Sequence, residues 1–109
     1  MTRLLHITER ALWDAAREAG TYEMSTRGKT LGDEGFIHCS LPEQLSGVAA
    51  FLYGDYEGPD ELVVLTIDSE RLTVPVRFEA PRPGGVEFPH IYGPLPVDAV
   101  VEVSPWSAA

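Results

Sequence analysis

The sequence predicts a single small α+β domain with two early helices, and three observations predict it. Helix signals crowd into the first half, extended apolar segments dominate the second, and most links between them are short. A regular alternation of strand and helix, the mark of a parallel βαβ sheet, is missing. The chain has 109 residues and 44% apolar content, which suits one domain, 1–109, around one hydrophobic core.

Residues 3–7 read as a short buried strand. Thr8 follows as a helix N-cap, with Glu9 in the first turn where a carboxylate suits the helix dipole. Ala11, Leu12, Ala15, Ala16 and Ala19 recur at helical spacing, Trp13 lies off the centre of that stripe, and Gly20 supplies a left-handed stop. Residues 21–34 show no period and read as a long loop, either a lid or pocket wall or a mobile surface segment. Residues 35–39 form the next strand, and Ser40-Leu41-Pro42-Glu43 reads as a capping box. The helix it opens carries Leu41, Leu45, Val48, Ala49 and Leu52 on one side and stops near Gly54.

Residues 61–68 are almost continuously apolar, as in a central strand covered on both faces. Residues 73–79 form a further strand, and Pro75, with no N–H to donate, pushes it to an edge. A turn over 81–85 leads to strands at 86–92 and 99–103, parted by Gly93-Pro94-Leu95-Pro96.

The net charge of −9, with eight Lys and Arg spread thinly, offers no cationic patch for phosphate backbones, so nucleic acid is not the expected partner. No apolar run is long enough to span a membrane and the N-terminus lacks a signal-peptide pattern, which makes the cytoplasm the default location. The lone Cys39 can form no internal disulfide and reads as a buried apolar residue rather than a nucleophile. The pairs Asp33-Glu34 and Asp60-Glu61 sit beside glycines and prolines and read as loop solvation. Walker, Rossmann and nucleophile-elbow patterns are absent.

The three histidines carry the chemical signal. His6, His38 and His90 each lie in a strand-like motif beside a turn or helix signal, which suggests one composite pocket. Alternation puts Phe36 on the face of His38, Thr8 on that of His6 and Tyr92 on that of His90, so two aromatic walls could flank two imidazoles. Ser40, at a helix start, could receive an anion as well as cap the helix. No His-x-His or His-x-x-x-His pair pre-organises a metal, and none is expected. For each histidine the alternative is a core imidazole bonded to a backbone carbonyl.

Leu5-His6-Ile7-Thr8, the block Glu34-Gly35-Phe36-Ile37-His38-Cys39-Ser40, Gln44, and Phe88-Pro89-His90-Ile91-Tyr92-Gly93-Pro94-Leu95 resemble the signature of a bacterial family known as domain of unknown function 952. The resemblance runs through nearly the whole chain. It implies an ADP-ribosyltransferase-like fold, with a split sheet, mixed or antiparallel, around a cleft for NAD. On that plan His6 and Thr8 hold a ribose, Phe36 packs on the nicotinamide, and His90 falls where related transferases keep a catalytic glutamate. Glu87, though close, should face away from His90. The expectation is thus a transferase-like enzyme for a nucleotide-derived small molecule, with NAD as cofactor. Catalysis would fall to His6, His38 and His90, and binding to His6, Thr8, Phe36, Ser40 and Tyr92. A non-catalytic binding module with the same cleft and a structural protein with core histidines are the alternatives.

Overall fold

Strand β1 (Arg3–Glu9) and helix α1 (Arg10–Ala19) open the chain in the computed structural model, which describes residues 2–107. Short elements follow: β2 (Thr21–Tyr22), β3 (Met24–Thr26), β4 (Lys29–Thr30), the one-turn helix α2 (Leu31–Glu34) and β5 (Ile37–His38). Helix α3 (Leu45–Tyr53) precedes β6 (Leu62–Asp68), β7 (Val76–Glu79), β8 (Phe88–Ile91), β9 (Leu95–Pro96) and β10 (Val100–Pro105). The result is α+β with antiparallel sheets.

The sheet is split. One half runs β1-β6-β10 and the other β5-β8-β7, and every strand pair among the described residues is antiparallel. The halves touch where Leu5 and Ser40 exchange two backbone hydrogen bonds of 2.7 Å. β6 is central and buried from Val63 to Ile67, as its continuous apolar run predicts, and β7 takes an edge, as Pro75 predicts.

Register decides which residues meet. Leu4, His6 and Thr8 pair with Ile67, Leu65 and Val63, so these six side chains share one face. That face packs on Trp13, Ala16 and Tyr22 in the main core. Ile7 points the other way and packs with Ala49 and Tyr53 of α3.

Several sequence expectations are corrected here. Thr8 caps nothing: β1 stays paired through Glu9, and the α1 terminus is held by the Asp60 carboxylate accepting the Ala11 N–H at 2.7 Å. Asp60 and Glu61, the latter paired with Arg10 at 2.6 Å, are therefore structural rather than loop solvation. Trp13 is at the heart of the buried α1 face and Ala15 is exposed, because the face that meets the main core is the one carrying Leu12, Trp13 and Ala16. Gly20 does end α1, at φ 95°.

The loop expected at 21–34 is instead β2, the β3–β4 hairpin and α2. Strands of two or three residues are too short to show a period, and their partners, such as β9 for β2, lie far along the chain. Asp33 and Thr30 cap α2 reciprocally, and Gly35 ends it at φ 86°. The Ser40–Glu43 capping box does not form, because Ser40 is held against Leu5. A tight turn at Pro42–Gln44 intervenes, and the Gln44 side chain accepts the Leu41 N–H at 2.9 Å. α3 starts only at Leu45, so Ser40 has no helix N-terminus to share with an anion.

Candidate functional site

His38 and His90 are directly opposed partners in the β5–β8 ladder, so their side chains leave the sheet on the same face. Their rings meet edge to face at 4.9 Å. Phe36, two residues before His38, stacks on His90 at 4.3 Å and 6° between planes, and Tyr92 approaches Phe36 edge-on at 5.3 Å. The shared faces expected for Phe36 with His38 and for His90 with Tyr92 are thus observed. All four line a cavity of about 860 Å³ between this half-sheet and α3.

Carboxylates come from two directions. Glu79 Oε1 accepts from His90 Nδ1 at 2.8 Å and from the Tyr92 hydroxyl at 2.5 Å. These bonds, Tyr92's first, hold the Glu79 carboxyl below its ordinary range. The same bond keeps the proton on His90 Nδ1 and leaves Nε2 as the atom that can accept or give one. Glu34 approaches His38 Nε2 at 3.6 Å. Burial, followed by the proximity of His90, lowers the His38 pKa, which favours the neutral ring.

Two struts hold this geometry. The Ser25 hydroxyl donates to the Phe36 carbonyl, tying β3 to the segment that carries the aromatic wall. Gln44 donates its amide to the Glu87 carbonyl at 2.8 Å, bridging the turn before α3 and the start of β8. Glu87 contributes its backbone there.

His6 lies elsewhere. It shares the α1-facing side of β1 with Thr8, opposite the α3 side where the cavity opens. Its Nδ1 lies 2.6 Å from the His38 carbonyl, an atom that can only accept, so Nδ1 carries the proton. Nε2 then accepts from the Tyr22 hydroxyl at 2.7 Å, and Tyr22 lies 2.9 Å from Thr8 Oγ1. Burial lowers the His6 pKa to about 4. The polar atoms expected to reach a ribose are therefore engaged with one another. Ser40 is also buried, beside a void of about 20 Å³ that His6 shares and that adjoins the main cavity along Thr26, His38, Cys39, Val48 and Leu52.

Cys39 is buried, and burial pushes its thiol pKa up, as suits an inert apolar residue. Among the described residues no group of three His, Cys, Asp or Glu is arranged to hold a metal ion. Sequence reasoning missed Tyr22, Ser25 and Glu79. The first two sit in the stretch without period. Alternation in β7 does place Arg77 and Glu79 on one face, but only the register against β8 brings Glu79 to His90.

A family model described as a protein of unknown function, DUF952, matches residues 7–103. The chain belongs to the DUF952 family. Among solved structures it is similar to protein CC0527 from Caulobacter crescentus. The crystal structure is 34% identical with a TM-score of 0.76, covering 97% of this chain and 87% of that one. The solution NMR structure of the same protein is 38% identical with a TM-score of 0.72, covering 95% and 84%. A comparison with curated proteins gave no match. The likeness to CC0527 supports the α+β architecture. No helix among the described residues is long and apolar enough to cross a membrane.

Proposed function

We propose that this DUF952 protein binds a flat heterocyclic ring of a small molecule against Phe36, and that His90, backed by Glu79, exchanges a proton with it. The observation that carries the reading is the constellation itself: a ring stack and two imidazoles on the wall of one cavity of about 860 Å³, within the size range of small-molecule sites. His90 covers one side of Phe36 and leaves the ring half-buried. The Glu79–His90 contact is the arrangement that stabilises an imidazolium while it forms.

An ADP-ribosyltransferase-like ancestry and an NAD-type ligand fit this reading in part. The split sheet supports the ancestry. In this reading Glu79, on the neighbouring strand and 2.8 Å from His90, stands in for the glutamate that related transferases keep at the His90 position. The nicotinamide ring is a flat heterocycle of the right kind. No lysine or arginine lines the cavity among the described residues, so the pyrophosphate of a dinucleotide would lie outside it. In this reading His6 holds the His38 backbone, Thr8 acts on His6 through Tyr22, and neither touches the ligand.

The test is a two-dimensional amide NMR titration of the labelled chain with NAD⁺, nicotinamide and ADP-ribose. Ring-bearing ligands should shift Phe36, His38, His90 and Tyr92 together, and nicotinamide release from NAD⁺ would mark turnover. Absence of shifts at millimolar ligand would sink the reading. One observation favours a second reading, ligand sensing without chemistry: the Glu79 oxygen nearest the site already accepts two hydrogen bonds. Saturable binding without product would select it.

A further inference from the structure

Much of the cavity wall beyond the histidines is apolar. Val48 and Phe51 of α3 line the cavity together with Ala80, Pro81 and Val86 of the connection between β7 and β8. Phe51 is 87% exposed and Val86 65%, the two most exposed large hydrophobic side chains among the described residues. A single exposed apolar residue needs no explanation. Two at one mouth, continuous with apolar walls, make a surface that is incomplete without an apolar occupant.

Charge narrows the occupant further. Glu43 and Glu79 line the cavity, and Glu34 stands behind His38. Arg77, a cation near this face, lies over the Tyr92 ring at 5.0 Å and does not line the cavity. A phosphate entering here meets carboxylates, whereas a cation is drawn to them.

We infer that the ligand is a flat heterocycle, cationic or protonatable on the ring, that bears an uncharged apolar substituent. The ring lies against Phe36 with its charge towards Glu79 and Glu43, and the substituent fills the gap between Phe51 and Val86. This class rests on the ring-binding reading above, and it ranks phosphorylated nucleotides carrying the same ring as weaker ligands.

Three probes that share one ring test it by the same NMR titration on the full chain: nicotinamide, its benzylpyridinium analogue, and nicotinamide mononucleotide. The benzyl compound should bind about tenfold or more tighter than the mononucleotide, from apolar burial and the loss of like-charge repulsion. Phe51→Ser and Val86→Ser, both at exposed positions, should erase most of that advantage and leave nicotinamide binding unchanged. A mononucleotide that binds as well as the benzyl compound overturns the inference with the ring reading intact. So does a benzyl affinity indifferent to both substitutions. If none of the three probes shifts Phe36, His38 and His90, the ring reading fails and the inference with it.

Discussion

Acidification should destabilise this fold through its buried histidines, His6 above all, before its carboxylates are protonated. The imidazole has an ordinary pKa of 6.5 and a folded value near 4, because burial disfavours the cation. Between those values the unfolded chain binds a proton that the folded chain refuses. Stability from this group is therefore complete above pH 6.5 and falls as pH drops towards 4. Each pH unit in that window is worth up to about 1.4 kcal/mol, so the full loss is on the order of 3 kcal/mol. That is a large share of the stability of a domain this size.

The assay is urea unfolding at a series of pH values from 7.5 to about 5, for the natural chain and for His6→Asn. The asparagine amide can still donate to the His38 carbonyl but does not titrate. His38, whose pKa is also lowered, contributes to both proteins, so the difference between them reports His6 and its coupling to His38. The stability gap between the two should shrink steadily below pH 6.5. Parallel profiles across the window would refute the argument, as would a His6 ring seen by nitrogen NMR to titrate above pH 6.

Other outcomes follow from the same contacts. Tyr22→Phe should cost about 1–3 kcal/mol in urea unfolding, because His6 Nε2 is left buried without its donor; a neutral result would mean water replaces the hydroxyl. Trp13→Ala should cost about 3–5 kcal/mol, since the indole is only 6% exposed, and a loss below 1 kcal/mol would place Trp13 off the core after all. Asp60→Ala should lower stability by about 1 kcal/mol by uncapping α1, checked by thermal melts, with Asp60→Asn recovering part of it. Phe36→Ala should abolish ring-ligand shifts while the far-ultraviolet circular dichroism stays native. Retained binding would move the site elsewhere.

Much of the site was legible before the fold. Period-two alternation placed Phe36 beside His38 and Tyr92 beside His90, because a strand side chain's face depends only on its own backbone. The same rule put Thr8 with His6 correctly, yet it could not say which layer that face would meet. The central position of β6 was readable from its unbroken apolar run, and the edge position of β7 from Pro75. Caps were less readable. Thr8 and Ser40 have the right chemistry for helix starts, but pairing of β1 with β6 and the Leu5–Ser40 bridge drew both into sheet backbone, and Asp60 took over the first cap from 49 residues away. Local preference of about 1 kcal/mol yields readily to several ladder hydrogen bonds and a buried face.

The sequence by itself determined the α+β class, the family, the short elements with strong periods, and the candidacy of three histidines. Only the tertiary structure divided those histidines by role. Antiparallel register set His38 opposite His90 over a cavity, and turned His6, in the other three-stranded sheet, towards the core under α1, where Tyr22 and a backbone carbonyl consume both its nitrogens. Glu79 joined the site for the same reason. Whether two strand residues meet depends on pairing between segments far apart in the chain, and pairing is decided by the packing of the whole core rather than by the residues on either strand.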